Sequence, residues 1–292
     1  MRIGILTRNE NAWCSMQLRL ASIKMGYEPI CINFPRMVSK IGLEPILEFS
    51  GINILKELSA IIVRPIGRGS LDECIFRMDI LHRLIRNGFI VINHPSAIEK
   101  CIDKFYAISL LQENGIPVPR TIVTENSEEA LKAFYELGED IVIKPLFGSR
   151  GIGITRVTDP EIAIRIFRTL QFMNNVLYIQ EFIPHGKKDI RAFVIGDEVI
   201  ASMYREAESW KTNVAQGAKP KPTRLSKEIE EIVLKAAKIV GCEIAGTDIL
   251  EGKEGPVINE INSQPGFRGL QSVTKINIAE EIIKYVIKKI KK

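Results

Sequence analysis

The sequence predicts an α/β protein: an open, largely parallel α/β layer followed by hairpin-built sheets. Three observations lead there. Buried-strand runs and amphipathic helices alternate over residues 1 to about 95, the order that builds a parallel layer. Later strands come in pairs joined by short turns, as at Gly196–Asp197. Finally, EIAGTDILEGKEGPVINEINSQPG (243–266) reads as two strands, Thr247–Leu250 and Val257–Asn262, around a Gly/Lys/Glu turn.

In order, RIGILT is a buried strand, Met16–Met25 a helix closed by Gly26, and YEPICINF a second strand. A Pro/Gly-containing excursion follows, then AIIVRPI, a helix over Cys74–Arg86, and the strand FIVIN. The carboxyl ends of such strands form a natural substrate crevice. Arg64 stands at one of these ends and reads equally as a substrate contact or a surface charge. The first β–α turn, TRNENAW, lacks the glycine fingerprint of a dinucleotide site.

A boundary falls near Asn93–Ser96, where Ser96 and Glu99 have the spacing of a capping box. Asp103 caps KFYAISLLQENG, which ends at Gly115. Next come the strand PVPRTIV, a helix over Ser127–Leu137, the strand DIVIKPL and the glycine-rich FGSRGIGITRV. A helix over Pro160–Thr169 leads to the strand YIQEFI, the hairpin DIRAFVIG/EVIASMYR and the loop SWKTNVAQGAKPKP. Helices over Leu225–Val240 and Asn277–Ile290 flank the final hairpin.

At 292 residues the chain has room for two or three subdomains, each with a core. No apolar run approaches the roughly 20 residues of a membrane span, and MRIGILTRNE enters a strand directly, so a cytoplasmic protein is expected. The five cysteines contain no C-x-x-C and the three histidines no metal-pair spacing, which argues against a disulfide framework or a zinc site. A net charge of +5, with lysines gathered in the last helix, fits an anionic small substrate and gives no case for nucleic acid.

With the turn centred near Glu254, Asp248 lies opposite Glu260, and alternation puts Asn262 on the same face. Two carboxylates across a strand pair repel, unless a hard cation such as magnesium joins them. Gly148, Gly151 and Gly153 let backbone N–H groups approach an anion. Lys144, at the end of a buried strand, and Lys104, at a helix start where it opposes the helix dipole, both call for a negative partner. Arg191 and Arg205 project from adjacent strands and read as phosphate or carboxylate contacts, or as partners of local acids. The extended segment at Glu181 offers backbone groups for a purine edge, and Asp189 a carboxylate for ribose hydroxyls.

The motif order, Lys104, Lys144 with its glycine loop, QEFI, DIR and Asp…Glu-x-Asn, resembles the ATP-grasp fold. Within it the chain looks like the RimK-like carboxylate–amine ligases, which add glutamate to an acceptor. The likeness spans the chain and is most specific from Asp103 to Gly266, through QEFI, KDIRAFVIGDEVIASMYR, WKTNVAQGAK and INEINSQPGF. It implies a pre-ATP-grasp domain (1–95), a central subdomain with a lid loop (96–183) and a C-terminal subdomain with a metal site (184–292).

By the same resemblance, Lys104 and Lys144 contact the ATP phosphates under a lid of Gly148, Ser149, Gly151 and Gly153. Gln180, Glu181, Phe182 and Ile183 line the adenine, with Asp189 near the ribose and Lys211 in the nucleotide site. Asp248, Glu260 and Asn262 hold magnesium or manganese, as two ions. Arg191, Arg205 and Asn213 face the transferred phosphoryl group and the acyl intermediate. NENAWCS and WKTNVAQGAK look most like archaeal members acting on coenzymes, tetrahydromethanopterin before the deazaflavin coenzyme. A ribosomal protein tail or an amino-group carrier protein is the alternative acceptor, and a homo-oligomer is implied by analogy. A nucleotide-binding module without catalysis is the contrasting reading; the full set of phosphate-transfer groups argues against it. Phe267–Arg268 after Pro-Gly departs from many relatives, and the N-terminal layer carries no matching motif.

Overall fold

The computed structural model describes residues 1–148 and 151–291. The N-terminal layer contains β1 (Arg2–Leu6), α1 (Trp13–Lys24), β2 (Glu28–Ile32), β3 (Met37–Ser39), β4 (Leu47–Phe49), β5 (Ile52–Asn53), α2 (Ile54–Glu57), β6 (Ala60–Val63), α3 (Leu71–Arg86) and β7 (Val91–Ile92). Its main sheet runs β2-β1-β6-β7, parallel throughout, as the alternation requires. The Pro/Gly excursion is itself structured: β3, β4 and β5 form a small antiparallel sheet. Helix α1 begins three residues before its expected start, and α3 begins at a capping box of Ser70 and Glu73. Arg64 is buried, which removes the surface-charge reading.

The middle of the chain adds α4 (Pro95–Ile102), α5 (Lys104–Glu113), β8 (Thr121–Thr124), α6 (Ser127–Glu136), β9 (Ile141–Lys144), β10 (Thr155–Val157), α7 (Pro160–Phe172) and β11 (Leu177–Glu181). The expected cap of α4 is corrected. His94 is the N-cap, its Nδ1 accepting from the Ser96 amide at 3.2 Å, while Glu99 bonds His82 Nε2 at 2.8 Å. Pro95 at the first helical position fixes that start, since its ring suits N1. Asp103 caps α5 as expected. The sheet β10-β9-β11-β8 and helices α6 and α7 enclose their own core around Phe134, Phe167 and Ile179. Helices α4 and α5, by contrast, pack on the C-terminal sheet.

That sheet contains β12 (Lys188–Ile195), β13 (Glu198–Glu206), β14 (Lys219–Pro222), β15 (Ile244–Gly252) and β16 (Gly255–Asn262), with helices α8 (Lys227–Val240), α9 (Arg268–Gln271) and α10 (Ile278–Ile290). Its order is β14-β13-β12-β15-β16, antiparallel throughout. The KPKP segment, expected as loop, is the edge strand β14; two prolines are tolerated there because one side of an edge strand makes no ladder bonds. One face of the sheet packs Ile190, Ala192, Val194 and Ala245 against α8. The other face is divided. Its apolar half, with Phe193, Ile195 and Phe267, joins α10, α1 and the N-terminal strands in one core, and its polar half forms the site.

Among the described residues no helix is long and apolar enough to cross a membrane. Asn93 ties the N-terminal layer to β15: its Oδ1 accepts from the Glu243 and Ile244 amides, each at 2.8 Å, and its Nδ2 donates to the carbonyls of Ile244 and Ser263.

Candidate nucleotide and metal site

The central sheet and the C-terminal sheet face each other across an open cleft. Its C-terminal wall follows from register. Arg191 pairs with Asp248 across β12–β15, and Asp248 with Glu260 across β15–β16, so the three form one row on one face. Two residues along β12, Asp189 sits opposite Arg205 of β13. The acids and arginines engage one another. Arg205 donates to both Asp189 oxygens, at 2.7 and 2.5 Å, and lies 3.0 Å from Asp248 Oδ2. Arg191 Nη2 reaches Asp248 Oδ2 at 2.9 Å, and its Nε pairs with Oδ1. Thr212 donates to Asp189 Oδ2 at 2.7 Å. Burial pushes the Asp189 carboxyl up against the pull of Arg205; burial alone would lower Arg205, but Asp248 and Asp189 hold it above its ordinary value.

Lys144 and Lys104 stand across the cavity, and among the described residues neither has an ion-pair partner. Lys144 Nζ donates to Gln180 Oε1 at 2.5 Å and to Asn259 Oδ1 at 2.8 Å. Lys104 Nζ donates to the carbonyls of Leu146 and Gly148, at 3.3 and 3.2 Å. All four acceptors are neutral. Burial lowers the Lys144 ammonium to about 8, with Glu260 opposing the shift. Burial lowers Lys104 in the same direction.

Glu260 lines this cavity, and among the described residues its carboxylate has no hydrogen-bond or ion-pair partner. Asn262 is held two residues along, its Nδ2 3.4 Å from the Gly246 carbonyl, outside the lining. Its Oδ1 is left to accept. Among the described residues no three His, Cys, Asp or Glu side chains group for a metal. Two carboxylates and an amide form a smaller, all-oxygen set, which suits a hard cation, and the free Glu260 carboxylate fits that use.

Gly148 and Gly151 line the cavity, Gly148 beside Lys104, whereas Gly153 stands against Pro145 outside the lining; Ser149 lies outside the described residues. A Cβ on Gly151, whose φ is +71°, would run into Asn213 Oδ1 and Gln216, so loop and SWKTN segment meet there. Lys211 and Asn213 both line the cavity. At the expected adenine end, the Gln180 and Glu181 side chains are engaged in the protein: Gln180 Nε2 donates to Thr121, and Glu181 accepts from the Arg120 amide and guanidinium. The Phe182 amide donates to the Asp140 carbonyl. Among the described residues the Ile183 N–H has no acceptor, which leaves it available to a base edge. Trp210 meets Phe182 edge-on at 5.9 Å, and Arg156 stacks on the other ring partner's face, 3.5 Å from the Phe182 centroid.

Asn259, Thr212, Trp210 and Leu250 also line the cavity and were not expected there. Asn259 had a signal. Ile258 and Ile261 are both apolar and three apart, which strict alternation cannot put on one face. A bulge opposite Asp248/Ile249 resolves this and brings Asn259 and Glu260 both to the cavity.

Comparisons with known proteins identify the family. A model described as a RimK-like ATP-grasp domain matches residues 101–286, and one described as a RimK PreATP-grasp domain matches residues 1–98. The tetrahydromethanopterin:alpha-L-glutamate ligase of Methanocaldococcus jannaschii is 38% identical, covering 100% of both chains. Its counterpart from Methanococcus maripaludis is 35% identical, over 97% of each. The ATP-grasp ligase PsnB, solved with a minimal precursor, Mg and ADP, superposes with a TM-score of 0.78 at 21% identity, covering 99% of this chain and 97% of that one. A RimK domain ATP-grasp protein from Sphaerobacter thermophilus gives 0.75 at 19%, covering 98% and 100%. At such identities the structures speak for the fold alone.

Proposed function

The chain belongs to the RimK-like ATP-grasp family and is an ATP-dependent carboxylate–amine ligase; on that premise we propose that it adds L-glutamate to a carboxylate of tetrahydromethanopterin through an acyl phosphate. One observation carries the nucleotide side of this reading: among the described residues the buried Lys144 and the half-buried Lys104 rest on neutral oxygens, facing a carboxylate that no hydrogen bond or ion pair engages. A triphosphate supplies the missing negative charge. The acceptor side is supported by the full-length likeness to ligases of that name.

In the reaction, an acceptor carboxylate oxygen attacks the γ-phosphorus of ATP and the bond to the β-phosphate oxygen breaks, leaving ADP and an acyl phosphate. The glutamate amine then attacks the acyl carbon, loses a proton and expels phosphate, forming the amide. Positioning and charge stabilisation account for most of such catalysis. Lys144 and Lys104 bind phosphate oxygens, and the glycine loop covers them. Arg191 and Arg205, already fixed by Asp248 and Asp189, present guanidinium groups to the transferred phosphoryl group, with Asn213 beside the lid. The Ile183 amide and the Phe182–Trp210 pair bound the adenine. Asp248, Glu260 and Asn262 would hold magnesium, as two ions and with manganese an accepted substitute, where it neutralises charge on the phosphates.

Mass spectrometry of tetrahydromethanopterin incubated with enzyme, ATP and glutamate tests the proposal. A product heavier by one glutamyl residue is expected, with ADP release that needs both substrates. ADP release with the deazaflavin coenzyme or a protein tail, and none with tetrahydromethanopterin, would move the acceptor assignment within the same family. Absence of any glutamate-dependent ADP release would overturn it.

A further inference from the structure

A second, much smaller recess lies where the carboxyl ends of β6 and β7 meet β15 and the SQPG turn. Arg64, Asn93, Ile244, Ser263 and Pro265 line it. Arg64 is 7% exposed, and among the described residues its guanidinium makes no ion pair and no side-chain hydrogen bond. The Phe267 ring lies 5.9 Å from it. The other deeply buried arginines are compensated: Arg205 by Asp189 and Asp248, Arg77 by Glu73 and the carbonyls of Ile66 and Arg68. A buried charge without a partner is strongly unfavourable. Folding alone gives no reason for Arg64, and burial accordingly lowers its pKa.

The cavity adjoins the reaction centre. A Cβ on Gly246 would stand 2.6 Å from Pro265 and 2.7 Å from Arg191 Nη1, so those two side chains meet over Gly246. Arg191 is bound to Asp248 on the nucleotide side, and Pro265 lines the Arg64 cavity. The same turn carries a further donor, Gln264 Nε2, buried without an acceptor. Asn93 cannot serve as the acceptor, because its amide is fully engaged with backbone groups.

We propose that Arg64 anchors a substrate carboxylate, distinct from the one that is phosphorylated, on the far side of Arg191 from the nucleotide. This rests on the ligase reading above. Both organic substrates carry a spare carboxylate, and the chemistry recognised is the same for either.

The test compares wild type with Arg64→Met and Arg64→Lys, reading KM for glutamate, for tetrahydromethanopterin and for ATP, together with thermal unfolding. Loss of a charge-assisted bond predicts that Arg64→Met raises KM for one organic substrate about 10- to 100-fold. The ATP KM should stay unchanged, with partial rescue in Arg64→Lys. The substrate whose KM moves identifies the source of the carboxylate. Melting temperature should hold or rise, because an uncompensated charge has been removed. Unchanged KM values for both, or a fall in melting temperature with all three KM values unmoved, would overturn the proposal. Calorimetric titration with glutarate reads the subsite without turnover: weaker binding to Arg64→Met is expected, and equal binding or none counts against it. A wild-type enzyme that forms no glutamyl product fails the ligase reading instead, and the glutarate titration then still decides whether Arg64 binds a carboxylate.

Discussion

The two walls of the nucleotide cavity treat their charges in opposite ways. On the C-terminal wall, Arg205, Asp189 and Asp248, together with Arg191 bonded to Asp248 but outside the lining, compensate one another and are in place before any ligand arrives. On the facing wall, among the described residues, Lys144 and Lys104 bond only amide and carbonyl oxygens. The first arrangement is a preorganised electrostatic frame, which avoids rearranging dipoles during reaction. The second is unfinished without a polyanion. Stability should therefore depend on one wall, and nucleotide affinity on the other.

The sharpest break would come at Glu260, which among the described residues has no hydrogen-bond or ion-pair partner. Glu260→Gln should reduce turnover by about 10³-fold or more, the scale of losing a key charge stabiliser, with an unchanged melting temperature. A parallel fall in melting temperature would mean that the carboxylate also holds the fold. Arg205→Met should do the reverse and destabilise the protein by about 3–5 kcal/mol, because it leaves the buried Asp189 carboxylate without its cation; chemical denaturation measures this. Lys144→Met should leave stability equal or higher while weakening ATP binding about 10- to 100-fold, the worth of a charge-assisted hydrogen bond.

Acidity separates the walls further. Lys144 loses its proton near pH 8 in the folded protein, against 10.5 as its ordinary value. Above about pH 8 the folded state binds fewer protons at this site than the unfolded state. Its contribution to stability therefore rises with pH between about 8 and 10.5. ATP affinity should fall over the same range, as the ammonium is lost. Both slopes should be absent in Lys144→Met, read by denaturation and nucleotide titration at several pH values. A smaller effect is expected at Gly151→Ala: the left-handed backbone and the crowding at Asn213 should destabilise the lid by about 1 kcal/mol and lower turnover a few-fold, seen in kcat against melting temperature.

The strand-and-helix order of the N-terminal layer was legible because buried parallel strands read as continuous apolar runs. The Asp248–Glu260 pairing was legible too, since a hairpin turn fixes register locally. What stayed hidden depended on distant partners. Arg191 and Arg205 were readable as cations between strands, but their pairing with Asp248 joins segments 57 and 43 residues apart. The edge strand β14 was masked by its own prolines. The cap at His94 was hidden by a more conventional Ser-x-x-Glu spacing two residues on, whose glutamate was already taken by His82. Asn259 alone left a trace, in the odd spacing of Ile258 and Ile261.

The grip of Asn93 on β15 and on the Ser263 carbonyl has a dynamic consequence. With a common core beneath it, this clasp makes the first ninety residues and the last hundred travel as one slab. Breathing during turnover then falls to the sheet around Phe134 and Phe167, whose interior is shared with nothing else. Deuterium uptake should slow on nucleotide addition in residues 121–181 and stay level in residues 1–92.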